Sequence, residues 1–208
     1  MKLSALLAIA VFIVMAFSPK KEDYSSSIFA TDIVGKVAYV PYEYEVNLNS
    51  QDSVPFLGKS FLGFCNDLGF SESSGNYRAV NRLGYLGKYQ FGRSTLNWVG
   101  VYNTSRFLNS PLLQEEAFKA LISKNKWVLR DHIDKFNGQT INGVRITESG
   151  LVAAAHLGGA GNVMKFLDSN GKIVFEDANN VPITKYMKRF FDYDLSEILP
   201  DNNARATL

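Results

Sequence analysis

The chain has 208 residues, which is enough for a single domain with its own hydrophobic core. Hydrophobic residues make up 46% and charged residues 20%, a composition that excludes a disordered or fibrous protein. The 22 basic and 20 acidic residues give a net charge of +2 without a long run of one sign, so no nucleic-acid partner is indicated. One cysteine and two histidines exclude an internal disulfide and do not make a typical zinc site, so no metal or cofactor is expected.

Residues 1–17 have the pattern of an export signal. Lys2 precedes an uncharged apolar run from Leu3 to Phe17, which is shorter than the roughly 20 residues that span a bilayer. Ala16 is a small residue near the end of this run and suits a cleavage site. The pattern predicts an exported protein of the periplasm or cell envelope. The alternative is attachment to the inner membrane through an uncleaved segment, since two lysines follow the run.

The rest of the chain divides by composition into an N-terminal arm and a domain. Residues 18–55 begin with a polar, serine-rich segment and continue with partly alternating aromatic and β-branched residues that Pro41 interrupts. This composition predicts a tether or an arm with at most a short edge strand. The helical patterns described next begin at residue 56, so residues 56–208 are predicted to form one domain.

The domain is predicted to open with a buried helix. Apolar residues recur at helical spacing from Leu57 to Leu68, and Gly69 is in a position to end this helix. Glu72 is therefore expected just past the end of a buried helix. Cys65 lies inside the apolar pattern and is interpreted as a buried, unreactive thiol, because nothing beside it in the sequence would activate it.

A second, longer helix is predicted between two strong end signals. Ser110 followed by Pro111 is typical of a helix N-terminus, and Asn137-Gly138 is typical of an end. The apolar residues between them recur at helical spacing, which favours one face packed on the core. Three shorter helices are also predicted, at residues 94–99, 161–168 and 183–192.

A β-hairpin is predicted where Asn142-Gly143 separates two short segments rich in β-branched residues. Thr147 is then in position to cap a helix that runs to about Leu157, where Gly158 interrupts it. The predicted fold class is mainly α, with α+β character from this single small hairpin.

The segment from Glu72 to Thr95 has the residue types of a sugar-binding site. Its four glycines suit a backbone that turns sharply and comes close to a ligand. Set among them are a carboxylic acid, several neutral hydrogen-bonding side chains and three tyrosines. Aromatic rings pack on the apolar faces of sugars, and the neutral groups bind hydroxyls, so this segment is the candidate functional region.

This segment resembles the lytic transglycosylase and goose-type lysozyme superfamily. Glu72-Ser73 matches the family's Glu-Ser motif, in which the glutamate is catalytic and ends a helix. The segment Gly87–Thr95 keeps the family's Gly, Gln and Thr in register, and Gln90 lies at the family's distance from the glutamate. Asn81 stands where the family has a polar residue.

A third motif follows the same order. Residues 154–163 share the frame of the family's Ala-x-Tyr-Asn-Ala-Gly-x-Gly-x-Val motif and keep its last glycines and valine. His156 stands where the family has an active-site tyrosine, and Leu157 where it has asparagine. These two departures change polar residues that line the site in the family, and they indicate a divergent member of the superfamily.

The resemblance implies a lysozyme-like fold over roughly residues 56–192 and cleavage of the β-1,4 bond between N-acetylmuramic acid and N-acetylglucosamine. Peptidoglycan glycan strands would be the partner, and Glu72 the catalytic acid and base of a lytic transglycosylase. Seven residues are expected to bind or border the substrate. They are Ser73, Tyr77, Asn81, Gly87, Tyr89, Gln90 and His156.

Two alternatives stay open. A hydrolase on the same fold would need a second carboxylate, and none is obvious near Glu72 in the sequence. Asp67, Glu115 and Glu116 are interpreted as ordinary surface charges, with the alternative that Glu115 or Glu116 faces the cleft. A non-catalytic peptidoglycan-binding or structural envelope protein is the other alternative, suggested by His156. The sequence alone does not decide among the three.

Overall fold

The computed structural model describes residues 58–207, and this part of the chain is mainly helical with one two-stranded antiparallel sheet. The predictions for residues 1–17 and 18–55 lie outside the described residues. The described elements, in chain order, are α1 Phe61–Ser73, α2 Arg93–Trp98, α3 Thr104–Asn109, α4 Pro111–Phe136, β1 Thr140–Ile141, β2 Val144–Arg145, α5 Glu148–Gly158, α6 Ala160–Asp168 and α7 Ile183–Arg189.

Helix α1 begins and ends later in the chain than predicted. Ser60 caps its start, and Ser74 ends it in the left-handed conformation with φ 56°. The prediction that Gly69 ends this helix is wrong, because Gly69 is a buried residue inside it. A Cβ at Gly69 would lie 2.5 Å from Cε of Lys88, so the glycine makes room for that side chain. Glu72 consequently lies within the last turn of α1 and not beyond it.

The long helix α4 begins and ends where the sequence predicts. The Ser110 side chain accepts a hydrogen bond from the backbone N–H of Leu113, and Pro111 is the first helical residue. Asn137 ends the helix. Its inner face packs against α3, α5 and α6. Helix α4 is therefore the long helix against which these three shorter helices pack.

The predicted hairpin and the capped helix that follows it are both confirmed. Ile141 pairs with Val144 across the two strands, and the turn residues Asn142 and Gly143 both have positive φ, at 47° and 71°. Positive φ at both central positions suits the two-residue turns of tight hairpins. The Thr147 side chain accepts from the backbone N–H of Gly150 and so caps α5.

The short helices differ from expectation mainly at their ends. Helices α2 and α6 begin one residue earlier than predicted, and α7 ends at Arg189, three residues early. Helix α3 was not predicted from the sequence, although Asn103 caps it by accepting from the backbone N–H of Arg106. No helix within residues 58–207 has the length and apolar character needed to cross a membrane.

The core is built from aromatic rings that face inward from α1, α4 and the end of α7. Phe64 stacks on Phe118 with ring centroids 6.1 Å apart, and Phe190 meets Phe64 edge-on at 5.6 Å. Cys65 is buried in the same core, which confirms its predicted environment, and burial raises the pKa of its thiol. Helices α5 and α7 pack on each other beside this core.

Candidate functional site

A cleft of about 360 Å³ opens where the ends of α1 and α5 meet α7. Glu72 comes from the last turn of α1, and His156 and Leu157 come from the last turn of α5. Tyr186 comes from α7, and the loops at 81–90 and 177–181 complete the lining. The cleft thus brings together residues from widely separated parts of the sequence.

Glu72 is mostly buried in this cleft and accepts a strong hydrogen bond there. Its side chain is 14% exposed, and the hydroxyl of Tyr186 donates to its Oε1 at 2.6 Å. Burial and the negative charge of Glu72 raise the pKa of Tyr186. The phenol therefore keeps its proton over the physiological pH range and remains a donor to the carboxyl group.

His156 lies beside the same oxygen. Its side chain is 6% exposed, its Nε2 donates to the backbone carbonyl of Tyr89 at 3.0 Å, and Nε2 lies 3.8 Å from Oε1 of Glu72. Because a carbonyl only accepts, the hydrogen must sit on Nε2. Burial lowers the pKa of His156, against the opposing effects of Glu72 and the Tyr89 carbonyl. Its Nδ1 is buried and has no hydrogen-bond partner among residues 58–207.

Gln90 and Asn81 also line the cleft, as the sequence predicts for site residues. Gln90 has φ 50°, in the left-handed region, and its side-chain nitrogen donates to the Gly87 carbonyl at 2.9 Å. The Oδ1 atom of Asn81 accepts from the backbone N–H groups of Leu83 and Tyr85. Asn81 therefore shapes the loop that carries those two exposed apolar side chains into the cleft.

Two other predicted site residues, Ser73 and Tyr77, lie behind the cleft and do not line it. The hydroxyl of Ser73 donates to the backbone carbonyl of Lys88 at 2.8 Å, which joins the end of α1 to the following loop. The hydroxyl of Tyr77 donates to Oε1 of Glu115 at 2.6 Å. These contacts place both residues in the support of the site.

Gly87 and Tyr89 are also behind the cleft, which corrects the expectation that they border the substrate. Tyr89 is fully buried, its ring stacks on Phe118 with centroids 3.8 Å apart, and its hydroxyl donates to Oε2 of Glu115 at 2.6 Å. A Cβ on Gly87 would collide with the side chain of Gln114. Both residues are packed closely in the interior, so the Tyr89 side chain is not available to a ligand.

The interpretation of Glu115 as an ordinary surface charge is wrong. Its carboxylate accepts from Tyr77, Lys88 and Tyr89, and the Lys88 side chain is only 8% exposed. Asp67 is likewise paired, since Arg189 donates to it at 2.6 Å and the Tyr193 hydroxyl donates at 2.8 Å. Neither carboxylate lines the cleft.

Three charged residues of the cleft were missed in the sequence. Asp177 lines it, and its Oδ1 accepts from the backbone N–H groups of Asn179 and Val181. Arg189 donates to Ser71 as well as to Asp67. The Lys185 side chain is exposed and makes no ion pair or hydrogen bond with residues 58–207.

Tyr186 was also missed, because 114 residues separate it from Glu72 and no local motif marks it. Tyr85 lines the cleft with an exposed ring and was missed as well, although its position inside the glycine-rich segment was a signal that the sequence offered. No group of three or more His, Cys, Asp or Glu side chains within residues 58–207 is arranged to hold a metal ion.

Comparison with known proteins identifies no relative. No protein-family model matches the chain, and no curated protein or solved structure shows significant similarity to it. Function is therefore inferred from the motifs in the sequence and from the geometry of the cleft.

Proposed function

We propose that the chain is a divergent, exported lytic transglycosylase with a lysozyme-like fold, which cleaves peptidoglycan glycan strands with Glu72 as the catalytic acid and base. The observation that carries the proposal is the pairing of Glu72 with Tyr186 inside a cleft lined by amide, charged and aromatic side chains. The motifs around Glu72 and Gln90 supply the expected chemistry.

In the proposed reaction, Glu72 begins protonated and donates its proton to the oxygen that links N-acetylmuramic acid to N-acetylglucosamine. Tyr186 holds Oε1, so the other carboxyl oxygen carries the proton to the leaving group. As the bond breaks, the carboxylate that forms is stabilised by the Tyr186 hydroxyl, whose donation strengthens when its acceptor becomes charged.

The second half of the reaction returns the proton. The N-acetyl group of the muramic acid stabilises the positive charge that develops at the anomeric carbon. Glu72 then removes the proton from the primary hydroxyl of the same sugar, and that oxygen bonds to the anomeric carbon and closes an anhydro ring. One carboxyl group thus performs both proton transfers without an added water.

The walls of the cleft suit a glycan. Gln90 and Asn81 lie where their amide groups can meet hydroxyl or N-acetyl groups, and Leu83 and Tyr85 present apolar surface for a sugar ring. His156, whose pKa burial lowers, donates Nε2–H to the Tyr89 carbonyl and places its imidazole 3.8 Å from Glu72, at the position of the family's tyrosine.

Asp177 favours a second candidate function, a hydrolase of the same bond. It is the other carboxylate that lines the cleft beside Glu72 among the described residues. An inverting glycosidase uses a second carboxylate to activate water, so Asp177 would act as that base. The third candidate is a protein that binds peptidoglycan in this cleft without cleaving it.

The test is mass spectrometry of purified peptidoglycan after incubation with the full chain, with Glu72→Gln and with Asp177→Asn. Anhydro-muramyl products from the wild type and from Asp177→Asn, with none from Glu72→Gln, are the expected result. Reducing-end products that disappear in Asp177→Asn establish the hydrolase instead. Glu116→Gln is the matched control, because Glu116 is half-buried on α4 and does not line the cleft.

A further inference from the structure

Behind the cleft, a single carboxylate holds three side chains of the glycine-rich segment. Oε1 of Glu115 accepts from the Tyr77 hydroxyl at 2.6 Å and from Nζ of Lys88 at 2.9 Å, and Oε2 accepts from the Tyr89 hydroxyl at 2.6 Å. Tyr89 is fully buried and Lys88 nearly so. Hydrogen bonds from these buried donors to a charged acceptor are stronger than bonds between neutral groups.

The backbone of the same segment is held from two further sides. The Gln114 side chain accepts from the backbone N–H of Lys88 at 2.8 Å, and the Ser73 hydroxyl donates to the Lys88 carbonyl at the same distance. Gly87 lies so close to Gln114 that a Cβ at this position would collide with the Gln114 side chain. Residues 87–90 are therefore tied to α4 and to the end of α1, which carries Glu72.

The Tyr89 carbonyl connects this support to the cleft. It accepts from Nε2 of His156 at 3.0 Å, and that nitrogen lies 3.8 Å from Oε1 of Glu72. His156 has no other hydrogen-bond partner within residues 58–207, because its Nδ1 is buried without one. The orientation of the imidazole thus depends on where the Tyr89 carbonyl lies.

We propose that Glu115 is a positioning residue: its hydrogen bond to the Tyr89 hydroxyl fixes the Tyr89 backbone, whose carbonyl accepts from Nε2–H of His156 and so holds the imidazole beside Glu72. The predicted effect on turnover rests on the proposed function, whereas the effect on His156 does not. The chain of contacts runs from α4 through a fully buried ring to α5, so a displacement at Glu115 reaches the cleft through rigid groups.

Tyr89→Phe tests the proposal by removing one hydroxyl and leaving the buried ring and the Lys88–Glu115 ion pair. Nuclear magnetic resonance of ¹⁵N-histidine-labelled protein follows the Nε2–H signal of His156. We expect this hydrogen to exchange with solvent at least about tenfold faster in the variant. We expect kcat on peptidoglycan to fall about tenfold with KM nearly unchanged, because a small misplacement costs turnover more than binding.

Tyr77→Phe is the matched comparison, because it removes a second phenolic donor from the same carboxylate without touching the group that holds His156. It should lose similar stability in urea unfolding and leave the His156 signal unchanged, and Glu116→Gln should leave kcat unchanged. The proposal is overturned if Tyr89→Phe loses stability as Tyr77→Phe does while the His156 signal keeps its wild-type exchange rate. If the wild type cleaves nothing, the proposed function fails, and the His156 signal still decides the positioning role.

Discussion

The hydroxyl of Tyr186 donates to Oε1 of Glu72 at 2.6 Å, and it joins the last turn of α1 to α7 across the floor of the cleft. Tyr186 is itself buried, and its phenol keeps its proton because burial and the neighbouring carboxylate raise its pKa. The acid that carries out the proposed reaction is thus held at one oxygen by a donor that does not ionise.

Tyr186→Phe should slow cleavage about a hundredfold, because the carboxylate formed during the reaction loses its hydrogen-bond donor. Stability should fall by only about 1 kcal/mol, since the ring remains to pack in the core. The measurement is the initial rate of muropeptide release, with Tyr102→Phe as a control at an exposed tyrosine. An unchanged rate in Tyr186→Phe would show that Glu72 acts without this donor.

Lys185→Gln should weaken binding of anionic glycans selectively. Lys185 lines the cleft and has no partner within residues 58–207, so it is available to a carboxylate carried by the lactyl or peptide group of muramic acid. We expect the Kd for muramyl oligosaccharides to rise about threefold in low salt, as for an exposed ion pair, and that for neutral N-acetylglucosamine oligomers to stay constant.

The comparison for this prediction is Lys188→Gln, on the same helix but outside the cleft lining. Isothermal titration calorimetry with a Glu72→Gln background avoids turnover during the measurement. An equal loss in both lysine variants, or an equal loss for neutral and anionic glycans, would contradict specific recognition of the carboxylate.

Gly87→Ala should destabilise the fold strongly. Gly87 has φ 76°, a conformation that L side chains rarely adopt, and an added Cβ would collide with Gln114. Strain and overpacking together are expected to cost about 3 kcal/mol. Gly138→Ala is the control, because Gly138 has φ 85° but open space around it, so only the strain of about 1 kcal/mol applies. Urea unfolding of both variants measures the difference in the free energy of unfolding. Equal losses would contradict the expected collision with Gln114.

Stability should decrease as the pH falls below about 6.5, the ordinary pKa of histidine. Burial lowers the pKa of His156 in the folded protein, so the unfolded chain binds its proton first as the pH falls. The stabilisation from neutral His156 is therefore fully present above the pKa of the unfolded state, and it is lost as the pH falls toward the lower pKa of the folded state. Urea unfolding between pH 5 and 7.5 should show that the free energy of unfolding falls less with decreasing pH in His156→Gln than in the wild type. The same dependence on pH in both proteins would contradict this.

Much of the described fold follows from local signals in the sequence. Ser110-Pro111, Asn142-Gly143 and Thr147 mark a helix start, a hairpin turn and a second helix start, because each acts through hydrogen bonds or φ angles within a few residues. The end of α1 was predicted wrongly at Gly69. A glycine needed for close packing cannot be distinguished in the sequence from a glycine needed for a left-handed turn.

The sequence by itself determined most of the described elements, though not α3, and it singled out the candidate acid Glu72, because helix caps, turn residues and motif spacing are local properties of the chain. Only the tertiary structure decided which residues meet that acid. Tyr186 and Asp177 reach the cleft from beyond α6, while Tyr89 turns away into the core, since these placements depend on how α1, α4, α5 and α7 pack. Packing brings together side chains that are far apart in the sequence, so the spacing of residues along the chain does not predict these contacts.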